Sequence, residues 1–424
     1  MLYFDEAVML RAQIKQFLQD EAYAECLPAA QHLVALHKEN QNTQNIDYAN
    51  DAYVLGFLLE RLRKYDLACD AYREAAAGTA LYKGRTPQAA DRLTNLGACC
   101  SRSGKHDEAI QCLTEAYRIR KELLGEAHPE TADSLYNLGN ACLDAGQTDI
   151  AIKHHRAALV LRTGQPETIA DSLICLSYAY EAAKNYENAE AHARRALRLR
   201  KQSAGELSEA YILEFLYYAG LCDSAGLLEK AAKAYGTAAL LIKKHSSETH
   251  LHYAATLNKQ ADIFDKLDDA KRSIFLRTKA LRLMRKTMGE YHMVCASNLR
   301  RLAFLHKQEN NAPRAAQMMA DSLRIRERLA GAGQFEYVRD IMWLCGLYIE
   351  QADYARAFHV LKDALDAAEA RGDNAAFTQM EELFKIYIIL NELNRLKEEG
   401  QPDANGQLLA CLQALCGEPK EDTK

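Results

Sequence analysis

The stretch Ala90–Arg162 decides the fold, because it carries one pattern twice. In the first copy, Leu93-x-x-Leu96-Gly97 leads to Ala109 and then Ala116; in the second, Leu135-x-x-Leu138-Gly139 leads to Ala151 and then Ala158. The offset is 42 residues, Gly97 to Gly139, and Leu124-Gly125-Glu126-Ala127-His128-Pro129-Glu130 connects the two copies. Each copy reads as two amphipathic helices, with small residues where one helix backbone must approach another. A hairpin of this kind cannot bury its apolar face alone, so it stacks against neighbours.

Working outward from this pair, a small residue opens each second helix at Cys26, Ala68, Ala109, Ala151, Ala189, Ala231, Ser273, Ala315 and Ala357. Seven residues later come Leu33, Ala75, Ala116, Ala158, Ala196, Ala238, Ala280, Ser322 and Ala364. Twelve residues before each opener lies Ile14, Gly56, Gly97, Gly139, Ser177, Ala219, Ala261, Ala303 or Cys345. Three columns in register over nine copies predict an all-α fold, an α-solenoid of about nine helical hairpins over residues 1–373.

The first hairpin is degenerate, with Ile14 in the glycine column and Pro28 inside its second helix. The step from the fourth copy to the fifth is four residues short, where Thr163-Gly-Gln-Pro166 replaces the longer connector. Gly125 and Gly289 are read as left-handed helix stops and Pro129 as a first-turn proline. Beyond Arg371 the repeat fades. Phe377, Met380, Phe384, Tyr387 and Leu390 keep helical spacing, so residues 374–399 are expected to form a capping helix. Residues 400–424 read as a linker, a short amphipathic helix from Gln407 to Cys416 and a polar tail.

On these columns, on Leu-Gly-Glu-Ala-His-Pro-Glu-Thr-Ala at 124–132 and on Tyr-Asn-Leu-Gly-Asn at 136–140, the chain resembles the tetratricopeptide-repeat proteins. The repeat length matches the 42-residue variety of the kinesin light chain repeat domain and of many bacterial proteins. The resemblance covers about Phe4 to Arg371 and implies a right-handed superhelix of hairpins. It also implies that first helices line a concave groove in which a peptide lies.

Composition agrees with an all-α chain, being rich in helix formers with only seven prolines. A net charge of −5 gives no general reason to expect nucleic acid or an anionic membrane. No apolar run reaches the ~18 residues of a membrane span, and Met1-Leu-Tyr-Phe-Asp-Glu lacks the positive charge of a signal peptide. A cytoplasmic location is therefore expected. The twelve cysteines show no metal-ligand spacing, and Cys100, Cys142 and Cys222 recur at one repeat site, so they are expected to be reduced core residues.

No phosphate loop, dinucleotide fingerprint or paired-histidine zinc motif is present. His154-His155 and His250-x-His252 do not converge at helical spacing, while His128 and His292 fit loop capping. No enzyme activity, metal or cofactor is expected. Basic residues crowd the ends of second helices: Arg118, Arg120 and Lys121; Arg198, Arg200 and Lys201; Arg282, Arg285 and Lys286; Arg324, Arg326 and Arg328. Cations there favour the helix dipole, and phosphate binding is the alternative.

Two residues before each small first-helix position stand Ala12, Val54, Asn95, Asn137, Cys175, Tyr217, Lys259, Arg301 and Trp343. The resemblance turns this row toward the groove and implies that Asn95 and Asn137 bond a peptide backbone. The row is polarised: Asp91, Asn95, Asp133, Asn137, Asn140 and Asp171 precede Lys259, Arg300, Arg301, Lys307, Arg339 and Trp343. Arg339 and Trp343 share a helix face, so an acidic peptide with a hydrophobic anchor is expected between Lys259 and Trp343. The competing expectation makes Trp343 core and pairs the arginines with Asp262, Asp340 and other local carboxylates. The function expected is a non-catalytic scaffold that binds a peptide segment or a partner protein. The alternatives are a peptide-sensing regulatory protein or, less favoured, nucleic-acid binding through the arginines.

Overall fold

A computed structural model describes residues 2–246, 251–330 and 335–369, together with seven positions between 385 and 396. Its described part is all-α, a solenoid of helix hairpins with no strand among the described residues. The chain divides at Glu214/Phe215 into two compact units.

The N-terminal unit starts with α1 (Leu2–Gln19), α2 (Tyr23–Glu39), α3 (Ile46–Arg61) and α4 (Tyr65–Lys83). It continues with α5 (Pro87–Arg102), α6 (His106–Leu124), α7 (Pro129–Asp144) and α8 (Thr148–Leu161). Then come α9 (Pro166–Ala182), α10 (Tyr186–Ser203) and the first turns of α11 (Glu209–Ser224). The C-terminal unit takes the rest of α11, then α12 (Leu228–His245), α13 (Leu251–Lys266) and α14 (Ala270–Met288). It ends with α15 (Met293–Gln308), α16 (Ala312–Ala330), α17 (Phe335–Glu350) and α18 (Tyr354–Glu369).

Every opener, from Cys26 to Ala357, is the fourth residue of its second helix and is wholly buried at 0% exposure. The glycine column shows why size matters there. A Cβ on Gly97 would lie 2.6 Å from Leu113 Cγ, and one on Gly139 would lie 2.7 Å from His155 Cε1. The first and second helices of these hairpins therefore touch backbone to side chain, closer than any larger residue permits. All nine hairpins turn through a left-handed residue five before the opener, glycine at Gly104, Gly146 and Gly226 and a larger residue elsewhere. The connector stops behave likewise, with φ of +89° at Gly125 and +88° at Gly289. Pro129 sits in the first turn of α7, and His128 and His292 accept the N–H of Glu130 and Val294 at 3.2 Å.

Pro28 lies inside α2 without breaking it, and the shortened step appears as α8, only 14 residues long. Ten cysteines are buried free thiols; Cys411 and Cys416 lie outside the described residues. Most of the expected capping helix at 374–399, and all of 400–424, also lie outside them. Of the positions described there, Ile386 is wholly buried and Ile389 packs beside it against the α17–α18 core. No helix of the described chain is long and apolar enough to cross a membrane.

Candidate interaction surface

Within each unit, first helices of consecutive hairpins run side by side, and polar side chains bond from one to the next. Asn95 on α5 donates to the Tyr53 hydroxyl on α3 at 2.6 Å. Cys175 on α9 donates to the Tyr136 hydroxyl on α7 at 3.3 Å, and Asn140 also bonds Tyr136. The Arg162 guanidinium lies 4.2 Å above the Tyr136 ring. Burial pushes the Tyr136 hydroxyl well above its ordinary pKa, so it stays a neutral donor and acceptor. Asn137 is half-buried beside these residues, and its amide has no bond to any described residue. The expected amides thus share one face, with Asn95 and Asn140 held by tyrosines and Asn137 open.

The other half of the expected site is rearranged. Trp343 is 3% exposed, stacked on Phe304 at 4.4 Å within the α17–α18 core, and presents no face to a ligand. The cause is Phe304, one first helix earlier, which covers the row at that point. Arg300 Nε donates to both oxygens of the wholly buried Asp340 at 2.8 Å, and Arg301 Nε donates to Asp265 at 2.8 Å. Arg339 is half-buried and contributes its positive charge beside Asp340. Lys307 is paired with Glu350, while Lys259 is exposed without a described partner. The expected basic wall is therefore largely cancelled by its own carboxylates, and so is the acidic one.

That cancellation follows a rule missed in reading the sequence. Asp91, Asp133 and Asp171 pair with Arg120, Arg162 and Arg200 at 2.5, 2.6 and 2.5 Å, always 29 residues on. Each arginine ends a second helix and also reaches the first helix of the following hairpin. Arg120 donates to Ser134 at 2.7 Å, Arg162 to Ser172 at 2.9 Å and Arg200 to Glu214 at 2.7 Å. The same junction holds His37 against Asp51 at 2.8 Å and Arg326 against Asp340 at 3.2 Å. At one junction the cation changes sides: Arg92, on the first helix, donates to the carbonyl oxygens of Ala49 and Ala75. The 29-residue Asp–Arg spacing was the available signal. Of the predicted basic stripe, Arg120, Arg200 and Arg326 are thus junction clasps, whereas Arg118, Arg198 and Arg282 are exposed.

His155 is wholly buried, with neither ring nitrogen bonded, and its neighbour His154 is half-buried. His250 lies outside the described residues. Among the described residues no group of three or more His, Cys, Asp or Glu side chains is placed to hold a metal ion.

Tetratricopeptide-repeat models match residues 88–163 and 169–206. No curated protein matches the chain. Among solved structures it is similar to a Podosopora anserina protein of nearly identical TPR-like repeats, assigned to kinesin light chain, at 16% identity and a TM-score of 0.44. That match covers 48% of this chain and 98% of the other. The apo form of RapI matches at 13% identity and a TM-score of 0.46, over 66% of this chain and 98% of its own. Aspartyl phosphate phosphatase F from Bacillus subtilis matches at 15% and 0.45, over 70% and 76%. At these scores the three likenesses carry no functional argument.

Proposed function

We propose that this tetratricopeptide-repeat protein is a non-catalytic interaction scaffold whose first-helix face in the N-terminal unit holds an extended segment of a partner protein. The observation that carries the reading is Asn137. Its carboxamide can donate and accept at once, as a peptide backbone requires, and its neighbours are already committed to one another. Asn95 and Asn140 position the tyrosines of the same face. Asp91, Asp133 and Asp171 are neutralised by the clasp arginines, so recognition there rests on hydrogen bonds and shape rather than on net charge.

The stretch from Lys259 to Trp343 supports the reading less. Its arginines are engaged by Asp265 and Asp340, and Trp343 is enclosed. Nucleic-acid binding loses its main support, because the inward arginines of the basic stripe are clasped.

The test is a pull-down from native cells with the wild-type chain and with Asn137→Leu. Partners retained by the wild type and lost by the variant support the reading. Partners held equally by both place the interaction on another face.

A further inference from the structure

The degenerate first hairpin departs from the repeat in a way that opens space. Ile14 and Leu33 stand in columns that are otherwise small, and a cavity of about 400 Å³ opens between α1 and α3. Its apolar wall is Ile14, Leu18, Leu33 and Val54; Arg11, Lys15 and Asp51 line it too. Volumes of about 300–1,000 Å³ are typical of small-molecule sites.

Arg11 is held from behind. Its Nε donates to Asp51 Oδ1 and Oδ2 at 3.2 and 3.1 Å, and its Nη2 to Oδ2 at 2.6 Å. Asp51, 8% exposed, also meets His37 Nε2 at 2.8 Å. His37 is 1% exposed and meets the Tyr3 hydroxyl at 2.8 Å through Nδ1, while Asn42 donates to that hydroxyl at 2.6 Å. His37 and Asp51 alone complete the junction clasp of this hairpin. Arg11 is an added cation from a first helix. Its side chain stays 37% exposed, against 8% for Arg120 and 10% for Arg200.

The Nη1 edge of Arg11 has no described partner, and neither has Lys15, exposed four residues on and so on the same helix face. A guanidinium oriented by buried groups meets a carboxylate with little further loss of side-chain freedom.

We propose that this cavity binds a small amphiphilic carboxylate, its apolar body on Ile14, Leu18, Leu33 and Val54 and its carboxylate between Arg11 and Lys15. This ligand is distinct from the partner segment of the first-helix face. Its binding ties α1 to α3 and stabilises the first hairpin.

The test uses the full chain with octanoate and 3-phenylpropionate, and with octan-1-ol and octylamine as matched compounds of the wrong charge. Calorimetric titration and thermal melting are expected to show saturable binding of both carboxylates and none of the alcohol or amine. Val54→Trp, which fills the cavity, abolishes binding. Lys15→Glu, at an exposed position that does not threaten folding, weakens it about tenfold or more. Asn137→Leu leaves it unchanged, which separates this site from the partner-binding reading. Failure of both carboxylates to saturate, an equal response to octylamine, or full affinity in Lys15→Glu overturns the proposal. Binding of an acidic aromatic peptide at Lys15 without binding of either carboxylate assigns the cavity to a partner protein and overturns it too.

Discussion

The junctions of the two units solve one problem in different ways. In the N-terminal unit every junction carries a charged group: His37–Asp51, Arg92, Arg120, Arg162 and Arg200–Glu214. In the C-terminal unit the same positions hold Ile242 with Thr256 and Met284 with Asn298, all buried, and only Arg326 with Asp340 is ionic. The junction thus requires burial and satisfied polar groups, and charge is optional. An ion pair there suffers desolvation that an apolar pair avoids, yet half of an ion pair is worse than either.

The largest expected effect breaks one clasp. Arg200→Met strands Glu214 and Asp171 and is expected to cost about 3–5 kcal/mol in a urea titration. Replacing both partners with the C-terminal unit's own pair, Arg200→Ile with Glu214→Thr, recovers all but about 1 kcal/mol. A double variant as unstable as the single one would refute the equivalence of the two junction types.

Next comes the glycine column. Gly97→Ala places a methyl 2.6 Å from Leu113 Cγ and is expected to cost about 1–3 kcal/mol. The C-terminal unit already carries alanine at Ala219, Ala261 and Ala303, so Ala261→Gly should cost only about 1 kcal/mol. Chemical melts of the two variants compare the columns directly.

Acid should separate the units as well. Burial, then the charges of His154 and Arg162, lower the His155 pKa from 6.5 to about 4. The unfolded chain therefore takes up a proton as pH falls through 6.5 while the folded chain does not, and stability declines until pH approaches 4. From pH 7 to pH 5 the expected loss is about 2 kcal/mol. In the C-terminal unit this column holds Tyr235, Arg277, Met319 and Leu361 and no histidine. His155→Leu, which borrows Leu113 from the same column, should flatten the dependence; an unchanged pH profile assigns the sensitivity elsewhere.

The smallest effect belongs to the exposed cations. Arg324 is 56% exposed and bridges Glu290 and Asp321 at 3.3 Å. Arg324→Ala should change stability by less than about 1 kcal/mol. A loss as large as that of Arg200→Met would erase the distinction between clasped and surface arginines.

The hairpin count and the three columns were legible because they depend on local size and period, which one strand of text displays. Ala109 or Gly97 has to be small wherever helices cross. The binding surface was less legible, since a charged residue's role depends on what stands opposite it. For Arg301 and Trp343 two expectations stood side by side, ligand face or core, and only what stands opposite, Asp265 and Phe304 about one repeat away, separates them. Arg11 escaped attention for the same reason, because its meaning comes from Asp51 and His37 on two other helices.

The clasp has one more consequence, for how such a chain lengthens. Each junction is split between two repeats, with half at the end of one and half at the start of the next. Copying the fourth repeat, Pro129 to Arg162, in tandem would set Arg162 against a second Ser134, close to the Ser172 it meets now. Copying the second repeat, Ile46 to Lys83, would set Thr79 against a second Asp51 and bury an unanswered carboxylate. Duplication by whole repeats is therefore tolerated at some seams and penalised at others. The junction residues mark where this array can grow.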